Sequence, residues 1–249
     1  MIERSQNEGI LTLRLAHGKV NALDLELLDA LLGELNGTTD DIRALILTGT
    51  GSIFSSGVDL VRLTREGANY VKQFLPLFSR FLRTLFAFPK PVIVAVNGHA
   101  IAGGCLIAQA ADMRLMATGP GKIGVPELLV GVPLAGIALE IVRFATPREK
   151  LQSLIYTGRI FSAQEALGAG LVDEAVAPED LEARAQELAQ QLAMIPSMAY
   201  RLTKQSLRAE ALERIDHAGK QADQMMLELW SSPQTHAHLL DYLRRAKGK

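Results

Sequence analysis

The chain has 249 residues, with 26 Lys and Arg against 27 Asp and Glu, and its formal net charge is -1. This length suits one large globular domain, or one domain with a small appendage, and the near-zero charge gives no electrostatic reason to expect nucleic acid or a membrane surface as a partner. The single cysteine, Cys105, excludes an internal disulfide framework and a multi-cysteine metal site, so we expect a cytoplasmic protein, and the N-terminus predicts neither a signal nor a transit peptide.

The hydrophobic pattern predicts an α/β body over residues 1–195, in which strands alternate with helices. The predicted strands are 9–15, 44–49, 91–96, 113–117 and 171–176. The predicted helices are 23–35, 70–86, 103–111, 135–144, one that begins at Pro147, and a short one from Ser162, which has capping-box spacing to Glu165. After Pro178 the pattern is almost entirely helical, which predicts a helical C-terminal region over residues 196–249.

The charged residues are unevenly distributed along the chain. Residues 91–140 carry only five formally charged side chains, whereas residues 201–249 carry fifteen. We therefore expect the middle of the chain to be interior and its end to be solvated helix surface. Residues 91–111 have no charged side chain at all, but a β-branched run followed by several glycines favours a buried strand over a membrane span.

Three possible sites are weaker than their structural alternatives. Residues 119–124 match a GxGxxG dinucleotide pattern, but the prolines that follow argue against the helix that a pyrophosphate needs, so a nicotinamide-binding enzyme is a distant alternative. Cys105 lies at a predicted helix start, where a thiolate could be stabilised, but it is better interpreted as a small buried residue. His236 and His238 would not share one face of a helix, and no metal site is predicted.

Three segments combine sharply turned backbone with an apolar context after a strand. They are 54–60, 96–105 and 125–131. Gly103 and Gly104 stand at a predicted helix start, where backbone N–H groups lack partners and a ligand oxygen can approach closely. If the Val58 N–H points at the same oxygen, the two donors form an oxyanion hole that can stabilise an enolate.

Glu127 is the acidic residue in this setting. Its neighbours in sequence are apolar, and such surroundings disfavour the carboxylate and raise its pKa into the range useful for moving protons. The alternative is a surface residue on a loop, because sequence alone does not give burial.

Together with residues 19–23, these segments resemble the enoyl-CoA hydratase/isomerase family, also called the crotonase superfamily, over essentially the whole chain. The resemblance implies an α/β, crotonase-like spiral of repeated ββα units with an acyl-CoA site over residues 1–195. It also implies that residues 196–249 form an oligomerisation region and that the protein is a homotrimer or a dimer of trimers. No metal or redox cofactor is implied, since CoA enters as part of the thioester substrate.

The resemblance also assigns roles to individual residues. Val58 and Gly103 match the positions of the two oxyanion-hole donors, and Glu127 matches a family glutamate. Positions that line the CoA and acyl channel are occupied by Val20, Ala22, Ser56, Asp59 and Leu60, and Gly104 is included in this ligand-binding set.

Two departures from the family pattern bear on the reaction. Family hydratases have a second glutamate where this chain has Leu106, and residues 132–137, which shape the acyl pocket, differ from the usual glycine-rich run. One carboxyl group suffices to move a proton between two carbons, whereas hydration normally uses two to place a water. We therefore expect a Δ3-Δ2-enoyl-CoA isomerase with Glu127 as the proton shuttle. An enoyl-CoA hydratase and a non-catalytic acyl-CoA-binding protein are the alternatives, and Glu140 is a possible second acid.

The C-terminal segment has an apolar stripe and a basic end. The stripe consists of Trp230, Leu239, Leu240 and Leu243, and the basic residues are Arg244, Arg245, Lys247 and Lys249. This pattern fits either a docked helix with a solvated face or, by the resemblance, a trimer interface close to the CoA phosphates.

Overall fold

The computed structural model describes residues 1–134 and 136–247. The strands are β1 Ile2–Asn7, β2 Ile10–Leu15, β3 Ala44–Gly49, β4 Ile53–Ser55, β5 Val92–Val96, β6 His99–Ile101, β7 Met113–Ala117, β8 Ile123–Gly124, β9 Ile160–Phe161 and β10 Glu174–Val176. The helices are α1 Leu25–Asn36, α2 Leu60–Glu66, α3 Ala68–Phe86, α4 Gly103–Ala110, α5 Glu127–Val130, α6 Gly136–Ala145, α7 Arg148–Thr157, α8 Ala163–Ala169, α9 Leu181–Ala193, α10 Ser197–Trp230 and α11 Pro233–Lys247.

The strands form two sheets that the chain visits in turn. The larger sheet has the order β1-β2-β3-β5-β7-β10, and the smaller has the order β4-β6-β8-β9. The chain steps from the larger sheet into the smaller at β3–β4, β5–β6 and β7–β8, and a helix follows each step. This repeated ββα unit is the spiral that the sequence resemblance implies.

Close packing between successive turns of the spiral depends on glycine. A Cβ on Gly98, between β5 and β6, would overlap the carbonyl oxygen of Ser52 in the turn before it. Gly98 therefore allows the backbone of the β5–β6 connection to contact the backbone of the β3–β4 connection directly. This contact aligns the ends of β4, β6 and β8 at one edge.

The central strands of the larger sheet are buried on both faces. In β3, Leu45 and Leu47 belong to the main core with α1, α3 and α4, whereas Ala44 and Ile46 pack in a second core against α9. Such two-sided burial explains why these strands are continuous apolar runs in the sequence.

Most predicted elements are present, and those that were missed are short or polar. β1 pairs antiparallel with β2 but is mostly exposed, so it lacks the alternation that marks a half-buried strand. The strands β4, β6, β8 and β9 have two or three residues, too few for any pattern. The last strand is shorter than predicted, and the predicted start of α6 at Ala135 lies outside the described residues.

The C-terminal helices pack on the body of their own chain. α10 contacts α3 and α6, and α11 contacts α2 and α5. Among the residues that the structure describes, no helix is both long and apolar enough to cross a membrane.

The expectation that the charged end of the chain is simply solvated is wrong for two residues. Lys204 and Arg208 are buried against Asp112, with the Lys204 Nζ at 2.6 Å and an Arg208 nitrogen at 2.8 Å from the carboxylate. Burial lowers the pKa of Lys204 to about 8. Arg208 also donates to the carbonyl oxygens of Phe86, at the end of α3, and of Ala110, at the end of α4, so it caps two helices.

Candidate active site

A cavity of about 350 Å³ lies between the segments that follow β4, β6 and β8 on one side and α3, α6 and the C-terminal helices on the other. Its lining includes eight of the nine residues singled out from the sequence. They are Val20, Ala22, Ser56, Val58, Asp59, Leu60, Gly103 and Glu127. The structure therefore brings together residues that are more than a hundred positions apart in the chain.

The Val58 N–H faces the cavity because of how its neighbours are paired. Val58 forms a parallel bridge with Leu23, in which the Leu23 N–H donates to Gly57 O at 2.8 Å and the Asp59 N–H donates to Leu23 O at 3.0 Å. These bonds use the residues on either side of Val58, so its own N–H points away from Leu23. Within the described parts of the chain it has no protein acceptor.

The second N–H belongs to Gly103, the first residue of α4. The preceding residue, Ala102, has φ 51° and ψ -119°, and no side chain caps the helix. A positive φ is unfavourable for a residue with a Cβ, by about 1–3 kcal/mol, and it turns the chain abruptly from β6 into α4. The Ala102 N–H donates to Gly124 O at 2.9 Å, whereas the Gly103 N–H has no acceptor among the described residues.

The two donors are neighbours in space. A Cβ on Gly57, whose φ is +83°, would lie 3.0 Å from the Gly103 nitrogen and 2.7 Å from the Ile101 oxygen. Gly57 therefore permits the loop that carries Val58 to touch the start of α4. The arrangement places two N–H groups without protein acceptors close together, one of them at a helix N-terminus, and such a pair suits an oxygen with developing negative charge.

Gly104 does not line the cavity. A Cβ on Gly104 would overlap the carbonyl oxygen of Ser55, so this glycine serves the packing of α4 on β4. Gly104 is thus the one member of the predicted ligand-binding set that the cavity lining does not include. Gly103 differs, since a Cβ there would lie 2.8 Å from Leu23 Cδ1 and 3.2 Å from Phe78 Cζ, at the cavity wall.

Glu127 begins α5 and is only 8% exposed, so the alternative of a surface residue on a loop is wrong. Its Oε2 atom has no hydrogen-bond partner among the described residues, and burial raises the pKa of its carboxyl group to about 7. The sequence neighbours Leu128 and Leu129 are themselves 41% and 58% exposed, so they do not provide this burial. The apolar cavity walls do.

Among the described residues that line the cavity, Glu127 is the only buried acidic side chain. Leu106, buried on α4 one turn after Gly103, also lines the cavity, and its side chain contributes only apolar surface. The other lining carboxylate in the described regions, Asp59, caps α2 by accepting from the Arg62 N–H at 2.9 Å. Glu140 lies outside the cavity lining and pairs with Arg143 and Arg214, which does not support a role as a second acid.

The GxGxxG segment and Cys105 have the local structures that their structural interpretations predict. Residues 119–124 end in the short strand β8 rather than opening a helix, so no pyrophosphate site forms there. Cys105 is fully buried, and burial raises the pKa of its thiol. No group of three or more His, Cys, Asp or Glu side chains in the described regions is placed to hold a metal ion.

Two walls of the cavity were not found from the sequence. α3 contributes Phe78 and Leu82, and the C-terminal helices contribute Met226, Trp230 and Tyr242. The periodicity of α3 marks a buried face but not which part of it borders a cavity.

The four residues of the predicted apolar stripe near the end of the chain have different surroundings in the structure. Trp230 and Leu243 line the cavity, Leu239 is fully buried in the core, and Leu240 is exposed. Of the basic end, Arg244 and Arg245 are exposed, and Lys249 lies outside the described residues.

Comparisons with known proteins agree with this geometry. The family model described as Enoyl-CoA hydratase/isomerase matches residues 5–247. A Mycobacterium tuberculosis protein named "Probable enoyl-CoA hydratase EchA17" is 32% identical over 179 residues, which are 71% of this chain and 68% of that protein.

Solved structures show the same relationship. The crystal structure of human mitochondrial delta3-delta2-enoyl-CoA isomerase matches with a TM-score of 0.95 at 25% identity, covering 99% of this chain and 98% of that one. An enoyl-CoA hydratase/isomerase family protein from Pseudomonas syringae matches with a TM-score of 0.86 at 29% identity, covering 90% and 97%. With its sequence matched from residue 5 to residue 247 and its spiral matched by these structures, the chain belongs to the enoyl-CoA hydratase/isomerase family, the crotonase superfamily.

Proposed function

We propose that the protein is a Δ3-Δ2-enoyl-CoA isomerase in which Glu127 moves the proton. The observation that carries this proposal is a single buried carboxyl group, with its pKa raised to about 7, in a cavity that also presents the N–H groups of Val58 and Gly103. At neutral pH such a group can accept a proton as the carboxylate and return it as the acid.

The reaction needs two proton transfers at one carboxyl group. The thioester oxygen accepts hydrogen bonds from the Val58 and Gly103 N–H groups, and the Glu127 carboxylate removes a proton from C2. The C2–H electron pair forms the C1–C2 double bond of a dienolate, whose charge rests on the oxygen held by the two donors. Glu127 then delivers the proton to C4, the double bond moves from C3–C4 to C2–C3, and the carboxylate is regenerated.

Two loops at the edge of the cavity form a surface against which CoA can bind. The Ser56 N–H donates to Val20 O at 3.0 Å, and this bond joins two loops that both line the cavity. We propose that CoA lies against Val20, Ala22 and Leu60 and enters as part of the substrate, with no metal or redox cofactor.

Hydration is the second candidate, because the curated relative described above carries the name of a hydratase. Hydration of 2-enoyl-CoA requires a water held and activated beside C3, normally by two carboxylates. Leu106 occupies the position of the second one and presents only apolar surface to the cavity. The isomerase is therefore favoured.

The test is to incubate the purified protein separately with trans-3-hexenoyl-CoA and trans-2-hexenoyl-CoA and to separate the products by chromatography. The expected result is migration of the double bond in the first substrate and little 3-hydroxyacyl product from the second. Fast hydration without a bond shift would establish the hydratase instead. Binding of both thioesters without turnover would indicate a non-catalytic protein.

We also propose that the chain assembles, in the cytoplasm, as a trimer of three copies or a dimer of trimers of six. Met198, Leu202 and Leu207 are large apolar residues more than half exposed on α10, and an apolar surface of this kind commonly marks a protein contact. Sedimentation equilibrium is expected to give a mass three or six times 27.0 kDa. A stable monomer would contradict this assembly.

A further inference from the structure

Three aromatic side chains form a row along the inner face of α3. Tyr70, Phe74 and Phe78 follow one another at intervals of four residues, and their rings stack with centroids 5.8 and 5.6 Å apart. All three are buried, but only Phe78 of the three lines the cavity. The row therefore ends at the candidate active site.

Phe78 meets the cavity beside the proposed oxyanion hole. Its Cζ atom would lie 3.2 Å from a Cβ on Gly103, and Gly103 Cα is one bond from the N–H that the mechanism uses. A thioester oxygen bound to that N–H places its carbonyl carbon, and the adjoining C2, close to this ring. Phe78 thus borders the two acyl carbons nearest to CoA.

The ring has little freedom to move away. Phe74 stacks directly behind it and is fully buried, and Leu23 Cδ1 and Phe78 Cζ both lie against the same face of Gly103, which confines the tip of the ring. A side chain held in this way does not yield to an added substituent as an exposed one would.

From these contacts we propose that Phe78 is a specificity-determining residue that restricts the acyl group to chains unbranched at C2. This inference rests on the proposed isomerase function. Glu127, on α5, requires one hydrogen on C2, and the ring on α3 occupies the space into which a methyl group in place of the second hydrogen would extend. The substrate class is therefore straight-chain 3-enoyl-CoA.

The test compares two substrates in each of three proteins. The substrates are trans-3-hexenoyl-CoA and 2-methyl-trans-3-hexenoyl-CoA, with the two C2 epimers of the latter assayed separately. The proteins are the wild type, Phe78→Ala and the matched control Phe81→Ala, which removes a fully buried ring of the same helix that neither belongs to the stacked row nor lines the cavity. The measured quantity is the ratio of kcat/KM for the straight substrate to kcat/KM for the better epimer, because a general loss of folded protein cancels in this ratio.

A methyl group that an apolar pocket cannot accommodate changes kcat/KM by about 10- to 200-fold. We expect the wild type to prefer the straight substrate by at least that factor, Phe78→Ala to lose at least about tenfold of the preference, and Phe81→Ala to keep it within about threefold. Phe78→Leu, which retains more of the packing, should give an intermediate ratio.

Failure of this inference is distinguishable from failure of the proposed function. If the wild type isomerises neither substrate, the proposed function fails. If it isomerises the straight substrate but the ratio is the same in the wild type and in Phe78→Ala, or falls equally in Phe81→Ala, Phe78 does not select against C2 branching.

Discussion

Replacing Glu127 by Gln is expected to change the pH dependence of folding stability as well as the reaction rate. Burial raises the pKa of this carboxyl from 4.5 to about 7, so between these two pH values the folded protein holds a proton that the unfolded chain releases. Folding stability therefore decreases as pH rises through this window. The stabilising contribution is fully present below pH 4.5 and is lost above pH 7.

The size of the effect follows from the same two values. A difference of one in pKa corresponds to about 1.4 kcal/mol, and summing over the titration gives a loss of about 2.5 kcal/mol of unfolding free energy between pH 5 and pH 8. The Glu127→Gln variant has no carboxyl group at this position, so this contribution to the pH dependence of its stability is absent. Its unfolding free energy, relative to the wild type, should therefore increase by about 2.5 kcal/mol over that range, whatever constant difference the buried amide adds.

The assay is urea unfolding of both proteins at several pH values from 5 to 8, with Glu179→Gln as the matched control. Glu179 is exposed and outside the cavity, so the difference between this variant and the wild type should stay constant with pH. Parallel stability curves for the wild type and Glu127→Gln would refute the reasoning, since they would show that Glu127 is not held in a desolvated position. Glu127→Gln should also lose isomerase activity by at least about a hundredfold.

The other predictions concern the rate, the reaction type and the packing of α4. The kcat/KM for isomerisation should rise with pH through about 7 and then level off, because the carboxylate of Glu127 is the base; a profile that is flat from pH 5 to 8 would contradict this. Leu106→Glu should lower isomerisation and introduce hydration of 2-enoyl-CoA, whereas Leu106→Gln should lower isomerisation without the gain; no hydration by the Glu variant would show that a second carboxylate here cannot place a water. Gly104→Ala should reduce the unfolding free energy by about 2 kcal/mol or more through its overlap with Ser55, measured by urea unfolding, and Gly168→Ala, which meets no atom within 4 Å, should not.

The parts of the site that lie between a strand and the following helix could be predicted from the sequence. Gly103 follows a buried strand and opens a helix, and Glu127 is an isolated acid in an apolar segment, so both could be singled out from local patterns. Packing also explains the continuous apolar run of β5, which is buried on both faces. These features are local consequences of strand burial and helix termini.

Long-range contacts were not accessible in the same way. Nothing in the sequence distinguishes Phe78, which lines the cavity, from Phe74, which does not, since both lie on the same buried face of α3. Gly103 and Gly104 are adjacent and look equivalent, yet only one faces the cavity, because the other contacts Ser55 in β4. The positive φ of Ala102 is equally hidden, since alanine is not a residue that predicts such a conformation.

The contacts of Arg208 bear on how the chain unfolds. A boundary at residue 195 divides the chain by secondary structure, but Arg208 and Lys204 from beyond it pair with the partly buried carboxylate of Asp112, and Arg208 also satisfies carbonyl groups at the ends of α3 and α4. Residues 1–195 alone would lose these ion pairs and hydrogen bonds, and they would expose the surfaces of α3 and α6 on which α10 packs. We therefore expect the two regions to unfold as one cooperative unit, in a single thermal transition to which the helices bearing Phe78 and Gly103 and the C-terminal helices contribute together.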